Sequence, residues 1–202
     1  KYKMGINDFV KEIKEKLIHH HDLYRFPVKA ELWEDIFDQV INPNSDKWEG
    51  GGHSVGADVI AENDLRYGIF PKNSRIQNKS GSINLKNQTI KWNGHRTTSH
   101  KTIEEKVDFI SQNHYDFYVM LGRVKKEWEQ GKRVYHLIIF DSNKIDYSKL
   151  KWEEKMSKDN SKVTGWKGIG ELPYSADITK STSHQLWTTS DLNYLGTSYR
   201  IE

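Results

Sequence analysis

The spacing of apolar residues changes once along the chain, near Val55, and that change restricts the fold more than any other feature. Before it, Met4, Ile6, Phe9, Val10, Ile13, Leu17 and Ile18 recur at helical intervals among Lys and Glu, predicting an amphipathic helix over residues 3–20. Leu32, Trp33, Ile36, Phe37, Val40 and Ile41 repeat the pattern, so a second helix is expected over 29–41, stopped by Asn42-Pro43-Asn44. After it, Val55–Ala61, Ser74–Gly81, Tyr115–Val124 and Val134–Phe140 read as strands, with weaker candidates at Ile83–Leu85 and Thr89–Trp92. Thr102 opens one further helix to about Gln112, with Glu104 and Glu105 where the helix dipole favours acids. Residues 93–100 read as a basic loop and 148–156 as a short helix, while 157–202 is polar and gives no assignable pattern. With no repeat and no linker, these elements predict one domain over residues 1–202, of α/β or α+β class.

Composition removes several functional classes. The absence of cysteine excludes a disulfide scaffold, a thiol nucleophile and a cysteine-held zinc. No stretch approaches the roughly eighteen apolar residues of a membrane span, and no export signal stands at the start, so a cytoplasmic protein without a membrane is expected. Gly50-Gly51-Gly52 is followed by neither GxxxxGK[ST] nor GxGxxG, which removes a nucleotide cofactor, and no nucleophile elbow supports a serine hydrolase. His19-His20-His21 reads as a solvent-facing run, and His53 as a plain loop residue. A net charge of +3 permits a nucleic-acid partner without requiring one.

The stretch that carries chemistry is Gly56-Ala57-Asp58-Val59-Ile60, followed downstream by Arg75-Ile76-Gln77-Asn78-Lys79-Ser80-Gly81. Two residues apart on a strand, Gln77 and Lys79 emerge on one face. Asp58 offers Mg²⁺ a hard anionic oxygen, and Gln77 a neutral carbonyl oxygen. Lys79 would stand beside the metal and hold or help deprotonate an attacking water, as phosphodiester hydrolysis requires. Glu12-x-Lys14, Glu104-x-Lys106 and Glu153-x-Lys155 also match a bare Glu-x-Lys, but each lies in a helix-like pattern, where residues two apart diverge.

The Gly-x-Asp-Val-Ile and Gln-x-Lys-Ser pair resembles the PD-(D/E)XK nuclease superfamily, which includes most type II restriction endonucleases, here with Ala57 before the acid and Gln77 as the middle residue. The resemblance implies a restriction-endonuclease-like core, a central mixed sheet flanked by helices, with Mg²⁺-dependent cleavage of double-stranded DNA. It also implies a supporting acid from the preceding helix; Trp33-Glu34-Asp35-Ile36-Phe37 makes Glu34 the candidate metal ligand beside Asp58 and Gln77. On this reading residues 1–42 are N-terminal helices, 55–140 the catalytic core, and 141–202 DNA-recognition and dimer elements. Mn²⁺ should substitute for Mg²⁺, and Ca²⁺ should allow binding with little cutting.

Two polar segments suit a nucleic-acid surface. His95, Arg96, Thr97, Thr98, Ser99 and Lys101 precede the helix at Thr102, whose N-terminus is a potential phosphate site. Lys180, Ser181, Ser183, His184 and Gln185 carry side chains able to read base edges. Cutting both strands of a palindrome is most simply done by a two-fold homodimer. A modification-dependent, repair or phage-type nuclease, and a non-catalytic DNA-binding module, are the competing readings.

Overall fold

Three- and four-residue spacing puts Phe9, Ile13 and Leu17 on one stripe of helix α1 (Ile6–Leu23), and Trp33, Ile36, Phe37, Val40 and Ile41 on one stripe of α2 (Ala30–Ile41). In this computed structural model, which describes residues 5–43, 59–61, 68–112, 114–181 and 183–202, the two stripes meet. Phe9 stands edge-on to Phe37 at 6.0 Å, and Phe70 stands edge-on to both, at 6.3 and 5.9 Å. Asn42 stops α2 by donating its amide to Asp38 Oδ1 (2.7 Å) and to Ile60 O (2.9 Å), which ties the helix end to the next strand.

The described residues form an α+β fold with a large mixed sheet of ten strands flanked by helices. The chain divides into two compact units: Lys1–Ser80, His114–Ser142 and Thr197–Glu202 make one, Gly81–Asn113 and Asn143–Gly196 the other. Among the described residues no helix is long and apolar enough to cross a membrane.

The first unit holds β1 (Val59–Ile60), the first part of β2 (Arg75–Asn84), β4 (Phe117–Val124), β5 (Tyr135–Asp141) and β10 (Ser198–Ile201). β1 pairs antiparallel with β2, Val59 opposite Ile76 and Ile60 opposite Arg75. β4 lies beside β2 and pairs antiparallel with β5, which in turn pairs with β10. Alternation sends Ile76, Val119, Leu121, Tyr135 and Leu137 into the core shared with α1 and α2, where Trp33 Nε1 donates to Val119 O (3.4 Å). A short helix, α4 (Lys125–Glu129), follows β4. The expected solvent-facing histidine run is corrected here: His19 is exposed, but His20 is buried, its Nε2 donating to Phe26 O (3.3 Å), and His21 is built into the same joint. The end of α1 packs against β5, so two of the three rings turn inward.

The second unit contains β3 (Thr89–Arg96), α3 (Ile103–Ser111), β6 (Lys151–Met156), β7 (Val163–Ile169), β8 (Tyr174–Thr179), β9 (Gln185–Asp191) and α5 (Leu192–Leu195). Its strands run antiparallel in the order β3-β9-β8-β7-β6, and the last part of β2 pairs with β3. Two expectations fail. Residues 93–96 continue β3 instead of looping, because Asn93 pairs with Trp187 and Arg96 with Gln185 across a register shift. Residues 151–156 form strand β6 rather than a helix; only Tyr147–Lys149 makes a helical turn, of 3₁₀ type. The argument that discounted Glu153-x-Lys155 as helical therefore fails as well. The two share a strand face and carry structural ion pairs, Glu153 with Lys151 (2.8 Å) and Lys155 with Asp177 (3.9 Å).

Candidate functional site

Strand β2 begins in a clamp. Arg75 N donates to Asp116 Oδ2 (2.7 Å), and its guanidinium reaches both carboxylate oxygens, at 3.3 and 3.1 Å. Asp116 N returns a hydrogen bond to Arg75 O (2.8 Å), so the starts of β2 and β4 are locked together. The guanidinium holds the Asp116 carboxyl below its ordinary range, leaving this acid ionised and committed to Arg75.

Past the clamp, Ile76 turns into the helical core, and Gln77 and Lys79 emerge together on the opposite face. Gln77 is only 5 % exposed, and its Oε1 has no hydrogen-bond partner among the described residues. A buried carbonyl left without a donor costs about 1–3 kcal/mol, so an orphan of this kind marks either strain or a missing ligand. Lys79 is partly buried beside it. A neutral oxygen of this type suits Mg²⁺, and an ammonium on the same face suits an anionic substrate. Among the described residues, no group of three or more His, Cys, Asp or Glu is placed to hold a metal ion.

Asp58, like Gly50-Gly51-Gly52 and His53, lies outside the described residues. Its successor in the chain, Val59, pairs with Ile76, the predecessor of Gln77. Glu34 is partly buried on α2, whose apolar stripe packs on the Ile76 face. The fold thus brings Gln77 and Lys79 together, and it carries Glu34 on the helical layer of the other face.

The two polar segments read separately from sequence are brought into one tip in the second unit. Thr97 donates both its N–H (3.1 Å) and its Oγ1 (2.9 Å) to His184 O. Gln185 Nε2 donates to Gly94 O (2.5 Å) and His95 O (3.4 Å), next to the Arg96–Gln185 register pair. His184 adopts φ +42°, a left-handed conformation that a residue with a side chain holds only when its surroundings fix it. Arg96, Thr98, Ser99, Lys101, Lys180 and Ser181 are exposed here, with His95, Ser183 and His184 partly so. Thr97 is fully buried, and the Gln185 amide is spent on backbone carbonyls, so both build the tip instead of facing a partner.

The α3 N-terminus does not serve as a phosphate site. The Thr102 hydroxyl accepts from Glu105 N (3.2 Å), and the Glu105 carboxylate accepts from Lys101 N (2.7 Å) and Thr102 N (3.4 Å). Those amides hold the Glu105 carboxyl below its usual range, and an ionised acid already sits where phosphate would go. Sequence reading missed Lys106, one residue on: its side chain is fully buried beneath the tip. Burial lowers its pKa, opposed by the nearby Glu105 charge. Burial likewise lowers the His184 pKa, assisted by Lys106 and Lys180. No family model, curated protein or solved structure matches the chain.

Proposed function

We propose that the chain is a Mg²⁺-dependent, sequence-specific endonuclease of PD-(D/E)XK type, hydrolysing phosphodiester bonds in double-stranded DNA as a homodimer. The observation that carries the reading is the Gln77–Lys79 pair. A buried carbonyl oxygen without a partner and a lysine share one face of a strand, and that strand is paired to the one that follows Asp58. The Asp58 carboxylate and Gln77 Oε1 would hold the cation, which supplies Lewis-acid polarisation of the scissile phosphate and a more acidic water. The Lys79 ammonium orients the attacking water and offsets the charge that grows on the phosphoryl oxygens. Glu34 enters only through the resemblance, because its helix lies on the opposite face from Gln77 and Lys79.

Asp58→Ala and Lys79→Ala should each abolish Mg²⁺-dependent plasmid cutting while leaving the far-ultraviolet spectrum intact. Wild-type cutting by either variant sinks the assignment. Discrete fragments from unmodified plasmid support a restriction enzyme, and cutting only of methylated plasmid supports the modification-dependent alternative. Retarded DNA with no Mg²⁺-stimulated cutting reassigns the chain to a non-catalytic DNA-binding module.

A further inference from the structure

Lys106 is a buried cation whose partners on the tip are dipoles and an aromatic ring. Its Nζ donates to Thr97 O (2.6 Å) and to His100 O, and lies 5.6 Å from the centroid of the Trp166 ring. Removing an ammonium from water is costly unless its protons are satisfied, and here two carbonyls and a π face do so. The two carbonyls bracket Thr98 and Ser99, so one side chain pins both ends of the exposed stretch before α3. The same Thr97 grips His184 O through two donors, and Trp166 meets the His184 ring at 6.1 Å. The hydrogen-bond chain Lys106–Thr97–His184 therefore runs from α3 through the 97–101 stretch to the turn that leads into β9. None of its side chains needs to touch a partner to fix where Arg96, Lys101 and Lys180 stand.

We infer that Lys106 is a positioning residue that fuses the 97–101 stretch and the turn carrying Lys180, Ser181, Ser183 and His184 into one rigid surface, and that nucleic acid meets this surface as a unit. The inference rests on the nuclease reading for its ligand, but the fusion itself can be measured without DNA. Lys106→Met keeps the length and removes the donors. In hydrogen exchange of the full chain, peptides covering 97–101 and 180–185 should lose protection together, with peptides from α1 and α2 unchanged. Loss in only one of the two segments, or in neither, overturns the fusion.

Binding of a mixed-sequence duplex over a salt series supplies the second arm. A cation that positions without touching phosphate should weaken binding about tenfold, the scale of one well-placed contact, and leave the salt slope unchanged. A cation that contacts phosphate directly would lower the slope by about 0.9, as Lys101→Ala should. A lowered slope in Lys106→Met, or wild-type affinity, refutes the positioning role. Wild-type protein that binds no duplex refutes the ligand and the nuclease reading, while the exchange result still decides the fusion. Should Lys106→Met fail to fold, Thr97→Val, which deletes one donor to His184 O, should show the same paired loss of protection.

Discussion

Tyr135→Phe deletes a single oxygen at the most closely determined joint of the first unit. Tyr135 is 1 % exposed, and burial pushes its phenol up to about 12, so the hydroxyl remains protonated at any working pH. Its oxygen accepts from Val28 N (2.9 Å) and lies 3.0 Å from His21 Nε2. His21 Nδ1 stands 3.0 Å from Tyr24 O, a pure acceptor, so Nδ1 carries the proton and Nε2 accepts from the phenol. Phenylalanine keeps the ring and its edge contact with Trp128 at 5.1 Å, but strands the buried Val28 N–H and leaves His21 Nε2 to find water. The stranded amide costs about 1–3 kcal/mol, and the partly exposed imidazole adds less, so a loss of about 2 kcal/mol is expected. For a chain of this size that is a fall of about 4–8 °C in Tm.

The variant should also change the pH dependence of stability. The His21 pKa is lowered by burial and, less strongly, by His20 and Arg133, with the Tyr24 carbonyl opposing. Arg133 stands close, its guanidinium donating to His21 O (3.1 Å). Below the ordinary histidine pKa of about 6.5, the unfolded chain binds a proton that the folded chain resists, so stability falls as pH drops through that window. A protonated Nε2 could no longer accept the phenol O–H and would set two donors against each other. Without that oxygen the conflict disappears, and the His21 share of the acid loss should shrink. Urea unfolding at about pH 8 and about pH 5.5 measures both effects. A variant within about 0.5 kcal/mol of wild type at the higher pH, or an undiminished acid loss, would refute the reasoning.

Two further substitutions probe the candidate site and the second unit. Gln77→Glu puts a carboxylate in a position that is 5 % exposed, so the metal-free variant should unfold at lower temperature and regain more stability from Mg²⁺ than wild type does; equal Mg²⁺ responses would remove Gln77 from the metal. Gly165→Ala would set a Cβ 2.3 Å from Ile178 O on the neighbouring strand, a backbone atom that cannot swing aside, so a loss of about 1–3 kcal/mol in urea unfolding is expected, and unchanged stability would show the β7–β8 pair to be more yielding than its geometry.

What the sequence made legible follows the physics of each segment. α1 and α2 announce themselves through three- and four-residue apolar spacing, and α3 through its opening, Thr102 followed by Glu104 and Glu105. β4 and β5 were readable as strands, β5 as a strongly apolar run. β9 was not, because two of the three residues it buries are polar. Thr188 and Ser190 are 0 and 1 % exposed, and Thr188 shares a hydrogen bond with Tyr147 (2.7 Å), so alternation is present but not in apolar residues. β6 carries Lys151, Glu153, Glu154 and Lys155, which mimic a helix surface when read along the chain. The Gln77–Lys79 face was legible from spacing, whereas the orphan state of Gln77 Oε1 depends on three-dimensional surroundings. Both halves of the tip were visible separately. Their junction depends on the Arg96–Gln185 register and on Lys106, neither of which leaves a local signal.

The charged strand β6 bears on how such a molecule keeps company with itself at high concentration. It ends the strand order, with Lys151, Glu153, Glu154 and Lys155 all exposed. Any stranger strand seeking to lengthen the sheet there would have to strip water from four ionised groups and meet charges of both signs. Polymerisation through that border is therefore discouraged at its source. The adjoining turn closes on itself, with Asp159 accepting from Ser157 and from the Ser161 amide and hydroxyl, so its own side chains satisfy it. A fluorophore or affinity tag grafted there would meet open solvent.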